Sequence, residues 1–418
     1  THGHADHFAG SPFQDRLYVS WTHFYSGAHP NGGTGGGDIM VGRSTDNGAT
    51  WTNVTLTTLA HEPSNSGTGT AGSSFVQGSE PEVEADGDVY LSYWFGGRVN
   101  VTRSIDGGAT WSLPTYPAGA AFGTASIPSP LPNETLRDNA FPSIETDPTR
   151  PNNVYVSFPD DDDTPVAADQ ANIFFARSTN NGATWSPRIK LNDDGLTRNQ
   201  FFPWMAVNAN GDIMVIWYDT RNDPLNHLLD VYCTISRDGG VTWSPNARVT
   251  DTNFEPNTNQ FGGNTFFGDY NGAAAGGTNS FHVLWTDTRT GGVNEQEIYY
   301  DRKCDPEVLL QCSPPVGGDH YNDLQINFCV TNTGCAADQF NYNLVDPKLW
   351  IVGSSSPLTG SVTLVPGQQF CNTVIVHLPI NCTQGELDTL CWTVTPQSAP
   401  SRQKTCCTEV TCITPTAT

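Results

Sequence analysis

An eight-residue phrase recurs four times along this chain. It reads Ser44-Thr45-Asp46-Asn47-Gly48-Ala49-Thr50-Trp51, then Ser104-Ile105-Asp106-Gly107-Gly108-Ala109-Thr110-Trp111. It returns as Ser178-Thr179-Asn180-Asn181-Gly182-Ala183-Thr184-Trp185 and as Ser236-Arg237-Asp238-Gly239-Gly240-Val241-Thr242-Trp243. A period of about 60 residues means tandem copies of one supersecondary unit, which excludes most single-core folds. Each phrase lies between two β-like runs. The Asp accepts hydrogen bonds from the backbone of the turn, and the Gly takes positive φ without steric cost. The Trp is expected to cover the turn and the sheet of its own unit.

The third unit has the clearest grammar. Phe141–Thr146, Val154–Phe158, Ile173–Arg177 and Trp185–Leu191 read as four strands, with the phrase between the third and fourth. Four antiparallel strands per repeat make a propeller blade. Equivalent second strands are Leu17–Trp21, Val89–Trp94, Ile213–Trp217 and Phe281–Trp285, so five blades are visible. A sixth has room in Ala60–Gly78 or Ala118–Leu136. The fifth blade carries no box after Ile298-Tyr299-Tyr300. The phrase resembles the Asp-box (BNR repeat) of sialidase-like β-propellers. That resemblance implies a rim hairpin with a folding role and a functional site on the opposite face.

Past residue 303 the pattern changes. Cys304, Cys312, Cys329, Cys335, Cys371, Cys382, Cys391, Cys406, Cys407 and Cys412 crowd a strand-rich stretch, while only Cys233 precedes them. Dense, even cysteines read as five disulfides made in an oxidising compartment, with Cys233 reduced and buried. The expected division is therefore a propeller over 1–303, a cysteine-rich sandwich over 304–412, and a Thr/Pro tail over 413–418. The second part resembles the immunoglobulin-like modules of bacterial surface proteins. The fold class is all-β.

The formal charge of -24 excludes nucleic acid as a partner, whose grip needs Lys and Arg on phosphates. No apolar run is long enough for membrane insertion. Secretion or display at a cell surface fits the cysteines. The sequons Asn53, Asn100, Asn133 and Asn381 are candidate glycosylation sites.

Candidate chemistry falls on the face away from the boxes. Trp-x-Asp-x-Arg occurs twice, supplying Asp219 and Arg221, then Asp287 and Arg289. The blade openings add Asp138, Asp269 and Tyr270. Paired carboxylates serve glycoside hydrolysis, and Arg reads carboxylates in bidentate fashion. A motif repeated in neighbouring blades also suits a structural ion pair. Sialidases carry a Phe/Tyr-Arg-Ile-Pro motif, whereas Phe13-Gln14-Asp15-Arg16-Leu17-Tyr18 lacks its proline. His2, His4 and His7 are metal-ligand types close in sequence, and Asp161 belongs to an acidic run that would suit calcium. No cofactor is required.

These features favour a non-catalytic structural, adhesive or glycan-binding role, with glycans or other extracellular proteins as partners. The alternative is a sialidase-like glycoside hydrolase. The unboxed edge of the fifth blade needs a cover. The N-terminal segment is the first candidate and self-association, as in a fibre, another.

Overall fold

The computed structural model describes residues 2–26, 36–56, 76–95, 97–117, 127, 131, 137–161, 171–195, 198–256, 266–277, 280–290, 296–304, 308–334, 337–398 and 400–413. Asn133, Cys335, the end of the acidic run after Asp161, the tail past residue 413 and most of both sixth-blade segments lie outside these. The chain divides into two compact units, Thr1–Arg302 and Lys303–Thr418.

The first unit is a β-propeller whose described residues form five antiparallel sheets. Blade one runs His2–Ala5, Leu17–Phe24, Gly37–Ser44 and Thr52–Thr55 from axis to rim. Blade two is Val76–Val83, Val89–Phe95 and Arg98–Ser104, with a bridge from Val101 to Thr115 in place of a fourth strand. Blade three is Ser143–Thr146, Val154–Asp160, Asn172–Ser178 and Ile189–Lys190. Blade four is Gln200–Val207, Ile213–Asp219, Asp230–Ser236 and Ala247–Arg248. Blade five is Gly272–Gly276, Ser280–Asp287 and Glu297–Cys304. The second strands of blades two, three and four are buried on both faces, which explains their unbroken apolar runs, such as Ile213–Asp219.

The N-terminal segment does not cover blade five. His2–Ala5 pairs with Leu17–Ser20 and is the innermost strand of blade one. Its short His-Gly-His-Ala run hides this, because axis-facing positions here are polar rather than aliphatic. Among the described residues the outer strand of blade five has no fourth partner, and Ile298 and Tyr300 on it are exposed.

The boxes fold alike. In the second, Asp106 Oδ1 accepts from the Thr110 N–H at 2.8 Å and from the Ser104 hydroxyl at 2.8 Å. Gly107 and Gly108 both sit at positive φ. The tryptophans correct the expectation that each packs on its own blade. Trp111, Trp185 and Trp243 lie in seams shared with the preceding blade. Trp243 meets Phe175 edge-on at 4.8 Å, and Trp185 donates to Thr115 Oγ1 at 2.9 Å.

A tyrosine completes each seam. Tyr18, Tyr90 and Tyr155, each the second residue of its blade's second strand, abut the box glycines Gly108, Gly182 and Gly239 of the next blade. Blade four has Met214 there, and the blade after it has no box. Trp51, in the box with no such tyrosine partner, is 42% exposed.

The second unit is a two-sheet sandwich. One sheet orders Val308–Cys312, Leu324–Asn332, Gln369–Val376 and Ile351–Ser354. The other orders Val316–Gly318, Lys404–Cys412, Leu387–Pro396, Asp338–Val345 and Thr359–Leu364. Alternate residues such as Phe340, Tyr342 and Leu344 face a core with Trp350 and Trp392. Disulfides join Cys312 to Cys406, Cys329 to Cys371, Cys382 to Cys412 and Cys391 to Cys407. The neighbours Cys406 and Cys407 thus tie to different strands. Cys233 is buried in the core of blade four.

Among the sequons, Asn100 corrects the glycosylation reading. It is buried within blade two and donates to the Arg98 carbonyl at 3.1 Å, so a glycan cannot attach without unfolding the strand. Asn53 and Asn381 are exposed.

Candidate functional site at the propeller axis

Two inner strands bulge where they enter the axis. The pairing register slips between Gln77 and Glu80 in blade two and between Phe201 and Trp204 in blade four. Gly78 supplies positive φ in the first bulge, and a Cβ there would overlap the Phe141 ring. Phe202 takes φ 51° in the second, a costly value for an aromatic residue. The Asn271 amide holds it by donating to the Phe202 carbonyl at 2.8 Å. Bulges re-aim side chains, and these two turn Trp204 and the Gly78 backbone toward the axis.

A cleft of about 260 Å³ opens at that end. Phe141 and Tyr270 line it, with Thr22 and Phe24 from blade one and Arg137 and Asp269 across from them. The Tyr270 ring is packed from several sides: His2 lies 4.5 Å away edge-on, Phe141 5.6 Å and Trp204 5.8 Å. His2 in turn bonds the Ser79 carbonyl at 3.0 Å. Residues from all five blades or their entry loops therefore meet here. Arg137 donates to both oxygens of Asp269, at 2.5 and 2.6 Å, and Asn139 adds a bond at 3.1 Å.

Acids line the axis beneath the cleft. Glu80, Glu82 and Glu145 fall on inner strands of blades two and three. Burial, helped by Glu82, pushes the Glu80 carboxyl up to about 8, against bonds from the Ile144 N–H at 2.9 Å and the Ser143 hydroxyl. Glu145 is driven well above the usual range by burial and by Glu82 and Glu80. Burial also raises Glu82, with His4 at 3.2 Å and the Thr146 hydroxyl opposing. Glu80 and Glu145 therefore keep protons at pH values where ordinary carboxylates have lost them. Tyr270 is held protonated by burial and by Asp269 and Glu80.

The sequence candidates part company here. Asp269 and Tyr270 line the cleft. Asp138 lies just behind it, buried, its carboxylate accepting from the Leu131 N–H at 2.7 Å, and burial lifts it to about 7. Asp219 and Arg221 make a closed pair instead. Arg221 Nε donates to Asp219 Oδ2 at 2.9 Å, Trp217 donates to the same oxygen, and the guanidinium stacks on Tyr232 at 4.2 Å. Asp287, Arg289, Trp285 and Tyr299 repeat this one blade on. The duplication, and the distance from the axis implied by outer-strand stacking partners, give both pairs a packing role.

His4 and His7 lie 6.0 Å apart, ring to ring, but His2, His4 and His7 form no metal-sized grouping among the described residues. They reach Ser79, Glu82 and the Ala5 carbonyl respectively. Asp161 stands apart from any metal-sized grouping among the described residues. Such a grouping occurs only at Glu84, Asp86 and Asp88, whose oxygens already engage Tyr90, the Asp88 N–H and Arg103. Sequence reading missed Glu80, Glu82 and Glu145. Gly78 was the available signal, since a strand glycine marks a bulge or close approach.

No protein-family model and no curated sequence matches the chain. Solved structures do. The α-L-arabinanase of Penicillium chrysogenum, complexed with arabinobiose, is 14% identical over 71% of this chain and 79% of its own, with a TM-score of 0.41. The α-L-arabinofuranosidase of Fusarium graminearum, complexed with an iminosugar inhibitor, is 12% identical over 87% and 90%, with a TM-score of 0.42. The same enzyme with arabinobiose is 12% identical over 90% and 92%, at 0.41. Those neighbours are an arabinanase and an arabinofuranosidase, set against the non-catalytic expectation. The missing sialidase motif had driven it, yet that motif speaks to one substrate class and not to catalysis in general. No helix among the described residues is long and apolar enough to cross a membrane.

Proposed function

We propose that this protein is a glycoside hydrolase of extracellular glycans, with its active site in the axial cleft. The observation that carries the reading is the meeting of an aromatic floor, an ion-paired carboxylate and buried protonated acids at one end of the axis. Phe141 and Tyr270 present apolar faces on which a sugar ring can stack. Asp269 is the carboxylate among the cleft residues, oriented by Arg137 and Asn139. It serves as nucleophile or general base. Proton donation falls to the acids that burial keeps protonated, Glu80 behind Tyr270 and Asp138 behind Arg137. Glycoside cleavage needs one acid and one base in carboxyl form, and opposite environments set those roles. The disulfide-rich second unit fits an oxidising, extracellular setting.

The test is a panel of chromogenic pyranosides and furanosides together with soluble polysaccharides. At least one substrate should turn over, and Asp269→Asn should lower kcat by about 10²–10⁴-fold. Glu80→Gln and Asp138→Asn identify the acid by which of them removes the basic limb of the pH profile. Absence of turnover across the panel, or turnover indifferent to Asp269→Asn, sinks the proposal.

A further inference from the structure

The charges around the cleft restrict what it can accept. The chain has 19 lysines and arginines. Arg137 is the one that lines the cleft, and both oxygens of Asp269 already neutralise it. The propeller residues outside the described ones include no lysine or arginine. Beneath the cleft lie Glu80, Glu82 and Glu145, with His4 and His7 as the neighbouring bases. Recognition of a carboxylated or sulfated sugar requires an uncommitted guanidinium or ammonium. An anion entering here would meet the Asp269 carboxylate and find the one guanidinium of the cleft already paired with it.

We infer that the substrate is an uncharged glycan, and that the Asp269–Arg137 pair enforces this by tying up the cation that an anionic sugar would use. The inference rests on the axial cleft being the sugar site. Arg137 is here a positioning residue for Asp269, and Asp269 combines its catalytic role with the exclusion of anions.

Matched ligand pairs test it. Glucosides against glucuronides, and galactosides against their sialylated counterparts, are compared by binding to the full chain and by kcat/KM where turnover occurs. The uncharged member should be favoured at least about tenfold. Asp269→Asn removes the negative charge but keeps an amide that can hold the loop. It should narrow the binding gap by about tenfold through new affinity for the anionic member. Asp269→Asn combined with Arg137→Gln should return that affinity to the wild-type level. Equal or better binding of an anionic member by the wild-type chain overturns the inference while leaving the hydrolase reading intact. Binding and turnover of no glycan at all overturns both.

Discussion

The carboxylates at the rim and those at the axis are the same chemical groups in opposite states. At the rim, Asp46 and Asp106 are surrounded by donors. Thr50 and Ser44 pull Asp46 down to about 2, and Thr110 and Ser104 bring Asp106 to about 2 against the upward push of burial. At the axis, Glu80 has one backbone donor and the Ser143 hydroxyl, and Glu145 faces the acids Glu82 and Glu80. Burial wins there and the carboxyls keep their protons. Hydrogen-bond supply, rather than residue type, separates a group that staples a turn from one able to donate a proton. The blades repeat the first arrangement, because every turn needs closing. The second arrangement gathers three carboxyls on the inner strands of blades two and three.

The sharpest way to break this comparison is to remove a donor from a buried carboxylate that burial pushes up and an arginine holds down. Asp219 is fully buried and relies on Arg221 and Trp217. Arg221→Ala leaves that charge uncompensated, which costs about 3–5 kcal/mol. Denaturant unfolding should register the loss, while activity per folded molecule stays at the wild-type level. A large activity loss with unchanged stability would move Arg221 into the active site.

The pH dependence of stability separates the two populations next. Glu80 releases its proton near pH 8 when folded and near 4.5 when unfolded. The native state binds the extra proton between those values, so stability falls as pH rises from about 4.5 to 8, by up to about 1.4 kcal/mol per pH unit. Asp106 acts on the other side. Its folded value lies below the unfolded 3.8, so its contribution is present above 3.8 and lost as pH falls toward 2. Thermal melts from pH 2 to 9 should show both limbs. Glu80→Gln flattens only the upper one and Asp106→Asn only the lower. Parallel curves for Glu80→Gln and wild type would remove the buried-acid assignment.

The rim was legible in the chain because a turn is a local object. Ser, Asp, Gly and Trp at fixed spacing specify its bonds without reference to anything distant. The strands were legible too, and Val154–Asp160 extends the expected run by only two residues. The axis was not, because a strand's alternation tells which residues share a face but not which face looks inward. Glu80, Glu82 and Glu84 alternate as any half-exposed strand would. Only the bulge at Gly78 and the neighbouring inner strands bring the first two together with Glu145. The blade openings at Arg137–Asn139 and Asp269–Tyr270 were visible as polar interruptions. Their union across about 130 residues of sequence required the ring. His2–Ala5 was misplaced for the same reason: an axis strand need not look apolar.

The smallest effect concerns the one box without an aspartate. Asn180 Oδ1 accepts from the Ser178 hydroxyl at 2.9 Å and from the Thr184 N–H at 3.0 Å, while its Nδ2 donates to Thr184 Oγ1 at 2.9 Å. In the second box Thr110 Oγ1 instead donates to Asp106 at 2.6 Å. One hydroxyl rotation therefore converts either arrangement into the other, and the positive φ of Asn181 and Gly182 shows the same turn. Bonds to a carboxylate are stronger than bonds to an amide oxygen. Asn180→Asp should stabilise by a few tenths to about 1 kcal/mol, and Asp106→Asn should lose a similar amount. The pair is read in one denaturant series, with the Asn180→Asp gain disappearing below pH 3 as the new carboxylate protonates. A loss on Asn180→Asp at neutral pH would mean that the amide donor is required, and that the third box is a separate device.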